Sequence, residues 1–269
     1  MNYAATAQPI VAQTAITTSE TGLRCARSSY TVAGFEVPFF FAAPQGKSHL
    51  PVVLVVQEIF GLHEYIVDVC RRLAHQGYLA IAPDLYARQG DASTYTDIGA
   101  LMSELVNRVP QAQVLADLDG ALDWAIDQGG DPQRMGITGF CWGGRVTWLY
   151  CAHNPQIKAG VAWYGRLVGV PTALSPQQPV DIAAKLHSPV LGLYGGQDTG
   201  IPLSTVDEMK QALSSAAAHG NAAAAASEFV LYPDAPHAFH ADYRPSYRAA
   251  DAADGFQRTL RWFAAHGVV

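Results

Sequence analysis

Hydrophobic positions along this chain change period several times, and each change marks an element. Segment 29–43, SYTVAGFEVPFFFAA, is rich in β-branched and aromatic residues and breaks at Ala33-Gly34, the pattern of two strands joined by a tight turn. The run PVVLVV at 51–56 is apolar throughout, which suits a strand covered on both faces in a parallel sheet. Residues 64–76 place Ile66, Val67, Cys70, Leu73 and Ala74 at helical spacing, with Gly77 set to end the helix. A strand is predicted over 78–86, then a helix-rich stretch over 96–128 interrupted at Pro110. A strand over 131–140 turns into a helix over 142–153, which stops before Asn154-Pro155. Strands over 159–165 and 188–198 follow, then a helix over 202–217 with Ser204 as N-cap and Glu208 near it. Segment 221–228 reads as a helix end or filler, 227–240 as a last strand and loop, and 246–265 as a C-terminal helix. This alternation implies one doubly wound α/β domain, with a mostly parallel central sheet and helices on both faces. Residues 1–22 are expected to form an N-terminal arm, flexible or laid on the surface, ahead of a domain over 23–269.

Composition narrows the classes of function. The 269 residues are 49% hydrophobic and 15% charged, enough for a sizeable core. A net charge of −6 argues against nucleic acid or an anionic membrane as the main partner. No apolar stretch approaches the ~18 residues of a membrane-spanning helix, and the Ala/Thr-rich N-terminus does not read as a signal peptide. The four cysteines show no CxxC spacing, so a reduced, cytoplasmic setting is expected.

Candidate chemistry concentrates where predicted strands end, because ligands of open α/β sheets bind outside the carboxyl ends of the strands. GFCWGG at 139–144 puts Cys141 between the strand MGITGF and the helix that follows, with Gly139 and Gly143 two residues to either side. A nucleophile elbow needs small residues at those two places, and the positive end of the helix favours a thiolate. A buried structural cysteine is the alternative. A nucleophile needs a base, and the base an orienting acid, in the chain order nucleophile, acid, histidine. Asp198 ends VLGLYGGQD and His237 ends FVLYPDAPH, with His240 as the competing histidine. Glu58, after LVVQ, could hold the thiol proton while the site is empty, or could be a helix-start or surface carboxylate. The backbone N–H groups of Ile59 and Trp142 would form the oxyanion hole.

QEIFG at 57–61, PDLYARQG at 83–90, GFCWGG at 139–144, WYG at 163–165, GGQD at 195–198 and PHAFH at 236–240 together resemble the dienelactone hydrolases, the carboxymethylenebutenolidases of the α/β-hydrolase fold. The resemblance spans Ser28 to the C-terminus. It implies a Cys141–His237–Asp198 triad, a gating role for Glu58, a substrate carboxylate met by Arg88, and Tyr164 lining the pocket. It also implies a second arginine four residues after the histidine, where this chain has Ala241. Arg244, Arg248 and Arg166 are the nearby cations, Arg166 lying just after the WYG motif at the sheet edge.

The function expected is hydrolysis of small-molecule lactones or activated esters through an acyl-enzyme, with no metal or organic cofactor required. A broader carboxylesterase or thioesterase on the same triad is the nearest alternative, and a non-catalytic ligand-binding member the next. A redox-sensing thiol is disfavoured, because Cys151 lies ~15 Å along the same predicted helix. Monomer and homodimer both stay open.

Overall fold

A computed structural model describes Tyr3 and residues 5–269. Eight strands form one sheet in the order β1-β2-β4-β3-β5-β6-β7-β8. They are β1 Leu23–Val32, β2 Phe35–Pro44, β3 Leu50–Val56, β4 Leu79–Pro83, β5 Gly130–Phe140, β6 Ile157–Trp163, β7 Val190–Gly195 and β8 Glu228–Tyr232. The β1–β2 hairpin is antiparallel and joins β4 antiparallel, whereas β4, β3, β5, β6, β7 and β8 pair in parallel. The helices are α1 Glu64–His75, the single turn α2 Ile98–Ala100, α3 Gln111–Asp127, α4 Trp142–His153, α5 Leu203–Ala218, the short α6 Ala222–Ala226 and α7 Ala249–Ala265.

The reasons are local first. Ala33 and Gly34 both take positive φ, which turns the hairpin where the alternation breaks. Every residue of β3 is buried, as its unbroken apolar run requires of a central parallel strand. Gly77, at φ +101, follows α1 and lets the chain turn directly into β4.

Three local readings change. The strand expected over 78–86 ends at Pro83. Asp84 N still donates to Pro38 O of β2 at 2.8 Å, but its side chain accepts from Tyr86 N at 3.1 Å, a turn that ends the ladder there. Ser204 does not cap α5: Pro202 stands at the N-cap with φ −56, and Ser204 falls inside the first turn. Segment 221–228, read as a helix end or filler, holds a separate turn of helix, Ala222–Ala226, capped by Asn221 Oδ1 accepting from Ala224 N at 2.8 Å.

The N-terminal segment lies against the loop after β8. Val11 N donates to Tyr243 O at 2.8 Å, and Thr18 N donates to Asp68 Oδ1 on α1 at 2.6 Å. The Tyr3 ring stacks on Tyr243 with centroids 4.9 Å apart. No helix among the described residues is long and apolar enough to cross a membrane.

Candidate active site

The end of β5 is the tightest place in the fold. Cys141 follows it at φ 56, a conformation costly for any residue with a Cβ, and its carbonyl accepts from Arg145 N in the first turn of α4. Only glycine can flank this turn. A Cβ on Gly139 would collide with the Gly143 carbonyl, and one on Gly143 with the Val56 and Gln57 carbonyls at the end of β3. The close approach presents Cys141 as a half-exposed side chain at the head of α4.

His237 and Asp198 arrive from the ends of β8 and β7. Gly196 N donates to Tyr232 O at 2.7 Å and Gln197 N to Ala235 O at 3.0 Å, so the two loops are tied before either side chain is placed. Asp198 Oδ1 accepts from Gly200 N at 2.9 Å and Ile201 N at 3.1 Å, which turns Oδ2 onto His237 Nδ1 at 2.7 Å. Burial opposes charge on the His237 ring, but negative charge at Cys141 and the Asp198 carboxylate outweigh it and raise its pKa to about 10. His240 lies elsewhere. It is buried against Trp163 and shares a hydrogen bond with Tyr65 at 2.6 Å; burial drives its pKa well below 6.5, so it stays neutral.

Glu58 is almost fully buried at the end of β3, not a surface carboxylate. Its Oε2 accepts from Tyr243 OH at 2.8 Å and lies 3.3 Å from His63 Nε2. Burial and the Glu58 charge hold the Tyr243 hydroxyl well above its ordinary range, so it remains a donor. Ile59 and Trp142 both line a cavity of about 560 Å3 together with Cys141, Tyr164 and His237. That volume suits a small organic ligand. Trp142 is the first residue of α4, so its N–H has no acceptor within the helix.

A sequence model of the dienelactone hydrolase family matches residues 37–267. The chain belongs to the dienelactone hydrolase family. A relative from Salmonella typhimurium is 56% identical over 266 residues, covering 98% of this chain and 96% of its own. One from Methylorubrum extorquens is 55% identical, covering 99% and 89%. Both carry the name "putative carboxymethylenebutenolidase". A crystal structure from Klebsiella pneumoniae subsp. pneumoniae, named in the same provisional way for dienelactone hydrolase, is 56% identical with TM-score 0.86, covering 90% of this chain and 98% of that one. Family membership makes this protein an α/β-fold hydrolase acting on ester bonds.

Against that background, one candidate residue of this dienelactone hydrolase family member is displaced from the site. Arg88 does not line the cavity. Its guanidinium donates to Asp117 Oδ1 at 2.5 Å and to Val32 O at 3.1 Å, and lies over the Phe35 ring at 4.5 Å. The turn that ends β4 carries it back to α3 and the hairpin, where a near-buried carboxylate occupies its charge. Tyr164 does line the cavity, fully buried at φ 38, with its ring 5.2 Å from His237 and its hydroxyl without a hydrogen-bond partner among the described residues. Arg166 lines it as well, exposed. Ala241 is fully buried, so no cation stands there, and Arg244 lies over Phe60 at 5.2 Å.

Sequence reasoning missed three groups. His63 and Tyr243 hold Glu58; His63 is only five positions away, but nothing local signals the Tyr243 contact, which spans 185. Tyr86 packs against Trp142 at 5.2 Å, its buried hydroxyl without a hydrogen-bond partner among the described residues. Arg145 lines the cavity and was signalled, because a residue four places after the nucleophile falls on the same face of the helix.

Proposed function

We propose that this family member hydrolyses lactones or activated esters with Cys141 as nucleophile, His237 as general base and acid, and Asp198 as the group that orients His237. The observation that carries the reading is Cys141, strained at the head of α4, opening into the same cavity as an imidazole whose far nitrogen is fixed by a buried carboxylate. In this mechanism Glu58, freed as substrate docks, takes the thiol proton and the sulfur attacks the carbonyl carbon, with His237 beside it as the imidazolium. The oxyanion is held by the N–H groups of Ile59 and Trp142. The C–O bond of the ester then breaks, the leaving oxygen takes the proton from His237, and a thioester remains on Cys141. Water, losing a proton to His237, attacks the thioester and releases the acid. The proton on Glu58 returns to sulfur. For a lactone the product is a hydroxy acid or its keto tautomer.

Glu58 is assigned a gate. Its Oε2 is engaged by Tyr243 and His63, so it can serve the thiol only after leaving them, a change that substrate docking would drive. The broader esterase reading gains support from Arg88 and Ala241, because the two cations that family resemblance implies for a cyclic acid are absent from the cavity.

The test is intact-mass analysis after rapid acid quench during turnover of p-nitrophenyl butyrate. A butyryl adduct on Cys141, absent in Cys141→Ala together with all turnover above the blank, is the expected result. Turnover that survives in Cys141→Ala would overturn the assignment.

A further inference from the structure

Two arginines line the cavity, and neither forms an ion pair with a carboxylate among the described residues. Arg145 lies one helical turn past Cys141 and is only 9% exposed. Its acceptors are all neutral: Gln178 Oε1 at 3.0 Å, Gln111 Oε1 at 3.4 Å, Ser175 Oγ at 2.6 Å and Gln177 O at 2.7 Å. Arg166 is brought alongside because Gly165, where a Cβ would strike Arg145 N, lets the chain cross the head of α4.

We propose that Arg145 and Arg166 form an anion subsite of this cavity, which holds a carboxylate on the substrate while Cys141 attacks its ester; the proposal rests on the thiol-hydrolase reading above. The first reason is charge. A cation buried among neutral acceptors beside a second cation is expensive unless an anion joins it. Burial and the Arg166 charge together depress the Arg145 pKa to about 10, in line with that cost. A latch for the segment 166–178 alone would need only a neutral donor.

The second reason is donor geometry. Nε and Nη2 of Arg145 are used by the protein, and Nη1 donates to no protein group among the described residues. Gln111 and Gln178 both turn their carbonyl oxygens to Arg145, which leaves their amide NH2 groups as further donors in the cavity wall. A planar carboxylate suits a guanidinium edge flanked by such donors. This places substrate recognition on α4 and the segment after β6, on neither Arg88 nor the position of Ala241.

The experiment compares kcat/KM for mono-p-nitrophenyl glutarate and neutral p-nitrophenyl butyrate within each variant, so that general damage cancels in the ratio. Arg145→Gln is expected to lower the acid-to-neutral ratio about 10–100-fold, mainly through KM of the acid ester, the worth of a charged hydrogen bond. Arg145→Lys is expected to keep part of it, and Arg166→Gln to lose less. A ratio within threefold of wild type in Arg145→Gln overturns the subsite. Should Arg145→Gln not fold, wild-type inhibition by glutarate decides, and inhibition no stronger than by neutral glutaramide overturns it. Should wild type hydrolyse neither ester, the thiol-hydrolase reading fails by itself. Isothermal titration of glutarate then judges the subsite, with no heat of binding overturning it and a tenfold weakening in Arg145→Lys supporting it.

Discussion

In the mechanism proposed, Cys141, His237 and Asp198 divide the work of one residue-scale device, and each can be removed separately. Asp198→Asn keeps the size of the side chain but weakens the hold on His237 Nδ1, and is expected to lower kcat by about 10²–10⁴-fold in steady-state assays, with His237→Ala at least as damaging. The pH behaviour follows from the raised pKa of His237. Its folded value lies above the ordinary 6.5, so the paired imidazolium stabilises the folded site fully below about 6.5, and that contribution is lost as pH rises through about 10. An NMR titration of the His237 ring is expected to show a midpoint well above 6.5, moving down in Cys141→Ala, where the negative partner is gone. A midpoint unchanged by that substitution would mean that Asp198 alone sets it.

At the scale of elements, the β5–α4 elbow and the loops after β7 and β8 make the site. Gly143 is the test position, since any Cβ there meets the backbone of β3 and cannot be relieved by a rotamer change. Gly143→Ala is expected to cost about 1–3 kcal/mol in urea unfolding and to lower both turnover and the rate of Cys141 alkylation. The β4 end is not legible in the sequence because an apolar run does not reveal where a turn begins; the Asp84 side chain, accepting from Tyr86 N, decides it. That one turn also settles two side chains. Tyr86 is directed under Trp142 at the site, and Arg88 toward Asp117 and away from it.

At the scale of the whole molecule, the N-terminal segment braces the loop that holds Glu58. Thr14 Oγ1 donates to Asp242 O at 2.5 Å, the Tyr3 ring stacks on Tyr243, and Tyr243 OH holds Glu58. Asp242 is also paired with Arg72 of α1, which bonds Asp68, which in turn binds Thr18. Removing residues 1–19 is expected to cost on the order of 2–4 kcal/mol, from several hydrogen bonds at about 1 kcal/mol each plus buried surface. Calorimetry would register this as a fall in Tm of several degrees. An unchanged Tm would show that the segment contributes nothing to the fold.

Periodicity determined the succession of strands and helices, because each element carries its own burial pattern, and β3 is apolar at every position for the same reason that it is central. Glycines two residues either side of Cys141, and Asp198 and His237 at strand ends, were legible because an elbow and a strand terminus are local features. Strand order, the clasp on Glu58 and the direction of Arg88 were decided only by tertiary structure. Each depends on groups far apart in the chain: Tyr243 meets Glu58 across 185 positions, and Arg88 meets Asp117 across 29. Sequence names which side chains can carry charge or donate a hydrogen bond. Only the folded chain sets which opposite charge is near enough to claim them, because electrostatic and hydrogen-bond energies fall with distance through space, not along the chain.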